Sequence, residues 1–243
     1  MKASVSRVVM TASVVAALGF TAACGGSDSG SDDGGKPSAE KTTEAAKPKP
    51  EPVAKTLTAA QLEKAAVAKG DVKGFGKVSK MPKDEMPSDF IATSPEACQP
   101  IADMFFFTTR PEAKARIGRT LLPDNELNAT VTSLALMAHK QADAEKAIGD
   151  LRTASEKCTK YEHTDYQYSK VKALPDPKLG DESVSYQMEG DIEGDTIPMS
   201  FTVVRSGSTL VGFYSMNLLD TKSLKVPDAI IKTQLAKLEK VAG

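Results

Sequence analysis

The sequence predicts an α+β domain: a mostly antiparallel sheet with helices packed on one face, single, and set behind a signal peptide and a disordered tether. Three observations carry this. Apolar and polar residues alternate over Val184, Tyr186 and Met188 and again over Ile197, Met199, Phe201 and Val203, with turn residues between the two runs. Helical stripes recur at Cys98, Ile101, Ala102 and Phe105, and from Ala144 to Cys158. A long segment after residue 24 has almost nothing to bury. The 243 residues hold 31 Lys plus Arg against 32 Asp plus Glu, and 40% are hydrophobic, which excludes a collagenous, fully disordered or nucleic-acid-coating chain. Aromatics are 5% and Trp is absent, which argues against a stacked-ring site for nucleic acid or sugar.

In chain order, residues 1–23 come first as a secretory signal. Lys2 and Arg7 precede an apolar run from Val8 to Phe20, too short to span a bilayer, and Thr21-Ala22-Ala23 supplies small residues for cleavage. Cys24 directly after Ala22-Ala23 resembles the lipobox of bacterial lipoproteins. That resemblance implies a diacylglycerol thioether on Cys24 and a protein held on the outer face of the cell membrane, extracytoplasmic, with the membrane as its first partner. Residues 24–56 follow as lipidated cysteine and tether. From Gly25 to Thr56, 5 Gly, 4 Pro and 4 Ser stand among 32 residues with no Leu, Ile, Met or aromatic, too little apolar surface to offset ordering entropy. As a random coil it would place the body roughly 30 Å from the membrane.

Residues 57–243 form the body. Thr58 as N-cap with Gln61 three residues on makes a capping box, Leu57 staples onto Leu62, and Gly70 is placed to end the helix. Ser94-Pro95-Glu96 starts a second helix with Ser94 as cap, and Thr108 to Asp124 reads as a loop. Asn128 to Ala138 is short and rich in Thr, Val and Leu, a buried strand. Gln141 to Cys158 is a helix with Ala144, Ala147, Ile148, Leu151, Ala154 and Cys158 on its inner stripe. Tyr166 and Tyr168 suggest another strand and Leu174-Pro175-Asp176-Pro177 a loop. Turns at Gly194-Asp195 and Ser206-Gly207 then divide a three-stranded meander that ends at Asn217. Pro227-Asp228 opens a last helix with Ile231, Leu235, Leu238 and Ala242 inward.

With Cys24 committed to lipid, Cys98 and Cys158 are the remaining thiols, both on inward stripes and both exported to an oxidising compartment, so they are expected to form a disulfide. The alternatives are two free buried thiols or a redox-active pair, the latter usually found in Cys-X-X-Cys spacing. The succession of Leu57-Thr58-Ala59-Ala60-Gln61-Leu62, Cys98, the helix from Ala142 to Cys158, a sheet and a carboxy-terminal helix resembles the PknH-like extracellular sensor domain. In actinobacteria that domain occurs as the outer part of membrane kinases and as free-standing lipoproteins. The resemblance implies an α/β layer with a cleft for an extracellular ligand.

Chemistry-bearing motifs are sparse. His139 at a strand end and His163 in a turn-like stretch lack metal-ligand spacing and are expected to be solvated, and no nucleophile elbow, phosphate loop or complete dinucleotide fingerprint is present. No catalytic residue, metal ligand or cofactor is assigned. Asp191, Glu193 and Asp195 alternate on one side of a hairpin, an arrangement that either holds Ca²⁺ or keeps the hairpin end soluble. Phe105-Phe106-Phe107 on a helix cannot all face one core, so part of the run lines an apolar pocket or lies beneath the following loop. Tyr186 and Tyr214, with Tyr161, Tyr166 and Tyr168, are candidates for the pocket wall, since a ring with a polar tip suits a wet surface. The reading is a non-catalytic ligand-binding or sensor lipoprotein with an unknown small-molecule, lipid or protein partner and no nucleic acid. The alternatives are an envelope interaction module or a carboxylate-based hydrolase.

Overall fold

The strand Thr130–Ala138 is apolar on both sides: Leu134, Leu136 and Ala138 point one way, Ala135 and Met137 the other, and all five are fully buried. Such a strand needs a packed layer on each face. A computed structural model, which describes residues 54–242 apart from 126, 193 and 218–224, supplies both. The strands are β1 (Lys77–Lys80), β2 (Ala115–Leu122), β3 (Thr130–Ala138), β4 (Tyr161–His163), β5 (Tyr166–Leu174), β6 (Glu182–Ile192), β7 (Asp195–Ser206) and β8 (Thr209–Asn217). They form one sheet in the order β1-β2-β3-β8-β7-β6-β5-β4, with every pair antiparallel. The helices are α1 (Ala59–Ala65), α2 (Gln99–Phe105), α3 (Gln141–Lys157) and α4 (Asp228–Ala242). The α+β class and the antiparallel sheet are as expected from the sequence.

The helices occupy both faces, not one. On the front, Ile101, Ala102 and Met104 of α2 and Ala144, Ile148 and Leu151 of α3 pack with Met137, Val184, Tyr186, Phe201 and Leu210. On the back, Leu62 and Ala65 of α1 and Ile230, Ile231 and Leu238 of α4 pack with Leu121, Leu134, Leu136, Val211 and Phe213. The topology explains the division: α3 carries the chain from β3 across the front to the far edge at β4, and the meander β5 to β8 returns it to the flank of β3.

Local departures each have a visible cause. The capping box on α1 is formed, with Thr58 Oγ1 accepting from the Gln61 amide and Gln61 Oε1 accepting from the Thr58 amide. The helix nevertheless ends at Ala65 and not at Gly70. Buried Gln234 on α4 accepts from the Val67 amide at 3.0 Å and donates to the Ala65 carbonyl at 2.9 Å, drawing the chain out of the helix. Ser94 does not cap α2: its amide and carbonyl pair with Glu162 of β4, and a short 3-10 turn, Glu96–Cys98, leads into the helix. At the end of α4, Ala242 is exposed, and Gln234 in the middle of the helix is buried with Ile231, Leu235 and Leu238. The segment read as a loop from Thr108 to Asp124 contains β2, whose Arg119 is buried with Nε on the Val67 carbonyl and Nη2 on Glu63 at 2.9 Å.

Cys98 and Cys158 are joined in a disulfide that pins the start of α2 to the end of α3. Residues 54–56, at the end of the segment read as tether, bond to the body: the Ala54 amide donates to Gln141, Thr56 Oγ1 donates to the His139 carbonyl, and Ser208 Oγ donates to the Lys55 carbonyl. The signal peptide, Cys24 and the rest of the tether lie outside the described residues. Among the described residues, no helix is long and apolar enough to cross a membrane.

Candidate functional site

The front layer does not reach the β1 edge. α3 and α2 cover the strands from β5 to β8, and beyond them the same face of β1, β2 and β3 opens into a cleft of about 590 Å³. That volume lies within the usual range for small-molecule sites. Its lining includes Phe105, Phe106, Phe107, Tyr214, Met81 and Met216, with Val131, and the hydroxyl residues Ser79, Thr120 and Ser133.

The three phenylalanines reach this cleft because of how α2 stops. Phe107 has φ 51° and stands in the left-handed position after the helix. The Thr108 amide donates to the Asp103 carbonyl at 2.9 Å and the Phe107 amide to the Met104 carbonyl at 3.0 Å, the two bonds of a Schellman ending. Glycine usually takes that position, since a side chain there is strained. With the chain reversed at this point, the rings diverge. Phe105 lies 5.5 Å from Tyr214 and 5.6 Å from Tyr168, and Phe106 turns toward His163 at 5.5 Å. Phe107 is buried against Gly212 of β8, where an added Cβ would meet its ring at 3.0 Å.

Of the residues expected to form a pocket, the fold brings Phe105, Phe106, Phe107 and Tyr214 to one cleft. Tyr186 does not line it. One step further into the sheet, Tyr186 is fully buried and stacked on Phe201 at 4.8 Å, and Phe201 in turn stacks on Tyr214 at 4.9 Å. Burial pushes the Tyr186 phenol well above its ordinary pKa, and its hydroxyl has no partner among the described residues. Removing an unsatisfied buried hydroxyl is close to neutral or favourable. Tyr186→Phe is therefore expected to keep or raise the unfolding free energy, by up to about 1 kcal/mol in urea denaturation. A clear loss of stability would contradict this assignment. Tyr161 and Tyr168 are also buried, stacked at 4.8 Å, whereas Tyr166 is exposed on β5.

Sequence reasoning missed the cleft's second wall. Met81 follows β1 and, with Met86, folds over β2 at Gly118, where an added Cβ would sit 2.8 Å from the Met81 Cβ. Arg116 of β2 fastens this segment to the end of α2, donating to the Phe107 carbonyl at 3.0 Å and the Pro87 carbonyl at 3.1 Å. No pattern announced it, since β1 carries Lys77 and Lys80 around Val78 and shows no apolar alternation.

Two other expectations are corrected. His139 is not solvated: it is completely buried, its Nε2 3.4 Å from Thr109 Oγ1 and its Nδ1 without a partner among the described residues. His163 is buried too, on β4, facing the Ile91 carbonyl at 3.2 Å. In the acidic hairpin, Asp191 accepts from the Gly194 amide at 3.2 Å, Asp195 opens β7, and Glu193 lies outside the described residues. Among the described residues, no three His, Cys, Asp or Glu side chains are grouped to hold a metal. A smaller cavity of about 240 Å³ between α2 and α3 is lined in part by Glu96, Asp103 and Asp150. There Asp103 is paired with Arg110 at 3.1 Å and Asp150 with Lys146 at 2.6 Å.

No protein-family model and no curated protein sequence matches this chain. Solved structures similar to it include two mycobacterial proteins. One is the extracellular domain of PknH from Mycobacterium tuberculosis, 9% identical, with a TM-score of 0.47, covering 77% of this chain and 97% of that one. The other is an uncharacterized protein from Mycobacterium smegmatis, the ortholog of Rv0999, 13% identical, with a TM-score of 0.38, covering 79% and 98%.

Proposed function

We propose that this chain is an extracytoplasmic binding module, anchored to the membrane by lipid on Cys24, whose front-face cleft takes an apolar ligand. The cleft itself carries the proposal. Phe105, Phe106, Phe107 and Tyr214, with Met81 and Met216, line an open space large enough for a small amphiphile. The disulfide supports export, since such bonds persist in oxidising compartments. The module binds and does not transform its ligand: the groups that line the cleft are rings, thioethers and hydroxyls, with Lys80 and Glu85 its ionisable members besides Tyr214.

Two experiments test the reading. N-phenyl-naphthylamine, a neutral apolar fluorophore, should saturate a single site on the full chain. Val131→Trp, which fills the cleft from β3, should weaken that binding at least about tenfold. Equal binding by the variant would place the ligand elsewhere. The chain has no native Trp, so the new indole also reports on the cleft directly. For the anchor, Cys24→Ser should move the protein from the membrane fraction to the soluble fraction of the producing cell, and retention on the membrane would remove the lipid assignment.

A further inference from the structure

The cleft has a polar seam that an aliphatic ligand alone would leave unused. In the register of the sheet, Ser79 faces Thr120, Thr120 faces Ser133, and Ser133 faces Tyr214. Directly opposed residues point to the same face, about 5 Å apart, so four hydroxyl-bearing side chains cross β1, β2, β3 and β8 in one row. All four line the cleft. The row runs from exposed Ser79 at the sheet edge to Ser133 and Tyr214, each only 8% exposed.

Elsewhere in this sheet, opposed hydroxyls bond to each other: Thr132 to Ser215 at 2.7 Å and Ser185 to Thr202 at 2.9 Å. The hydroxyls of Ser79, Thr120 and Ser133 have no hydrogen-bond partner among the described residues, and Tyr214 donates only to the weak acceptor Met216 Sδ. Ser133 is therefore a nearly buried, unpartnered polar side chain aimed into the cleft. A hydroxyl both donates and accepts, so the row suits a head group with the same two capacities.

Charge narrows the class further. Lys80 is held at 2.6 Å by Glu63 and Glu85 is exposed at the rim, so no counter-ion stands along the row. An ionised head placed there would lose hydration without compensation. Burial holds the Tyr214 phenol protonated across the physiological range, so it too brings no charge.

Building on the apolar-cleft reading, we infer that the ligand is a neutral amphiphile: an acyl chain against Phe105, Phe106 and Met216, joined to an uncharged hydroxylated head that lies along Ser79, Thr120 and Ser133. The test is displacement of N-phenyl-naphthylamine from the full chain carrying Cys24→Ser, so that no detergent competes. Monolauroylglycerol should displace the fluorophore at least about tenfold more tightly than laurate at neutral pH. The double variant Thr120→Val, Ser133→Ala should erase that preference, and an unchanged far-UV circular-dichroism spectrum and urea midpoint show that the variant is folded. Laurate binding as tightly as monolauroylglycerol, or a preference that survives the double variant, overturns the inference and leaves the apolar cleft standing. Displacement by neither compound overturns both.

Discussion

Replacing Cys98 and Cys158 together by alanine lowers the unfolding free energy by up to about 4 kcal/mol, because the bond closes a 60-residue loop in the unfolded chain. The loss is read from urea denaturation of the full chain beside the oxidised parent. Both cysteines are buried, so losing their sulfur atoms from the core adds a packing cost to that loss. The bond also fixes the entry to α2, the helix whose other end delivers Phe105, Phe106 and Phe107 to the cleft. Affinity for the apolar fluorophore should fall with stability, and a reductant should reproduce both effects in the parent. An unchanged urea midpoint would mean that the two helices hold their places without the covalent tie.

The second large effect is acid destabilisation through His139. Burial pushes this imidazole from 6.5 down to about 4; Asp143 opposes the shift and Lys114 adds to it. Its surroundings agree: its side chain has no exposed surface, its Nδ1 has no partner among the described residues, and its backbone is fixed by Ser208 and Thr56. The folded pKa lies below the unfolded one. Between pH 6.5 and about 4 the unfolded chain therefore binds the extra proton, and the contribution present above pH 6.5 is lost as the pH falls. The full difference corresponds to about 3 kcal/mol. His139→Gln, which cannot titrate, should flatten that part of the stability profile in urea titrations at successive pH values. An identical slope in the variant would assign the acid sensitivity to other groups.

Much of this fold was legible because its signals are local. The stripe of Ala144, Ala147, Ile148, Leu151 and Ala154 predicts α3 and its buried face, and all five are buried. Alternation through Val184, Tyr186 and Met188 predicts β6 on the same terms. Legibility failed where a distant partner decides the local state. β2 reads as loop because Arg116, Gly118 and Arg119 interrupt any apolar pattern. Arg119 is buried only because Glu63 and the Val67 carbonyl receive it, and Gly118 is needed only because Met81 and Met86 fold over it. The one-face expectation for the helices came from runs of strands flanked by separate helices, an order that does not say which face each helix takes. The run Leu134-Ala135-Leu136-Met137-Ala138, apolar without alternation, carried the opposite message, since it can be buried only between two layers.

For the site, the expectation of three rings on one helix singled out Phe105, Phe106 and Phe107, but only Phe105 lies on α2 and the other two follow its end. The way they diverge was not legible, because the left-handed residue ending α2 is Phe107 where glycine would have announced the turn. The hydroxyl row was equally hidden. Ser79, Thr120, Ser133 and Tyr214 come from four strands, and only the register of the sheet aligns them.

The most direct test of the bound-ligand claim is native mass spectrometry of the protein extracted from membranes of its own producing cell, run beside Val131→Trp extracted in the same way. The parent should carry one added mass per chain, identified by fragmentation as an acyl chain on an uncharged head, and the variant no such mass. A parent that carries no added mass, or a variant that carries the same one, would contradict the claim.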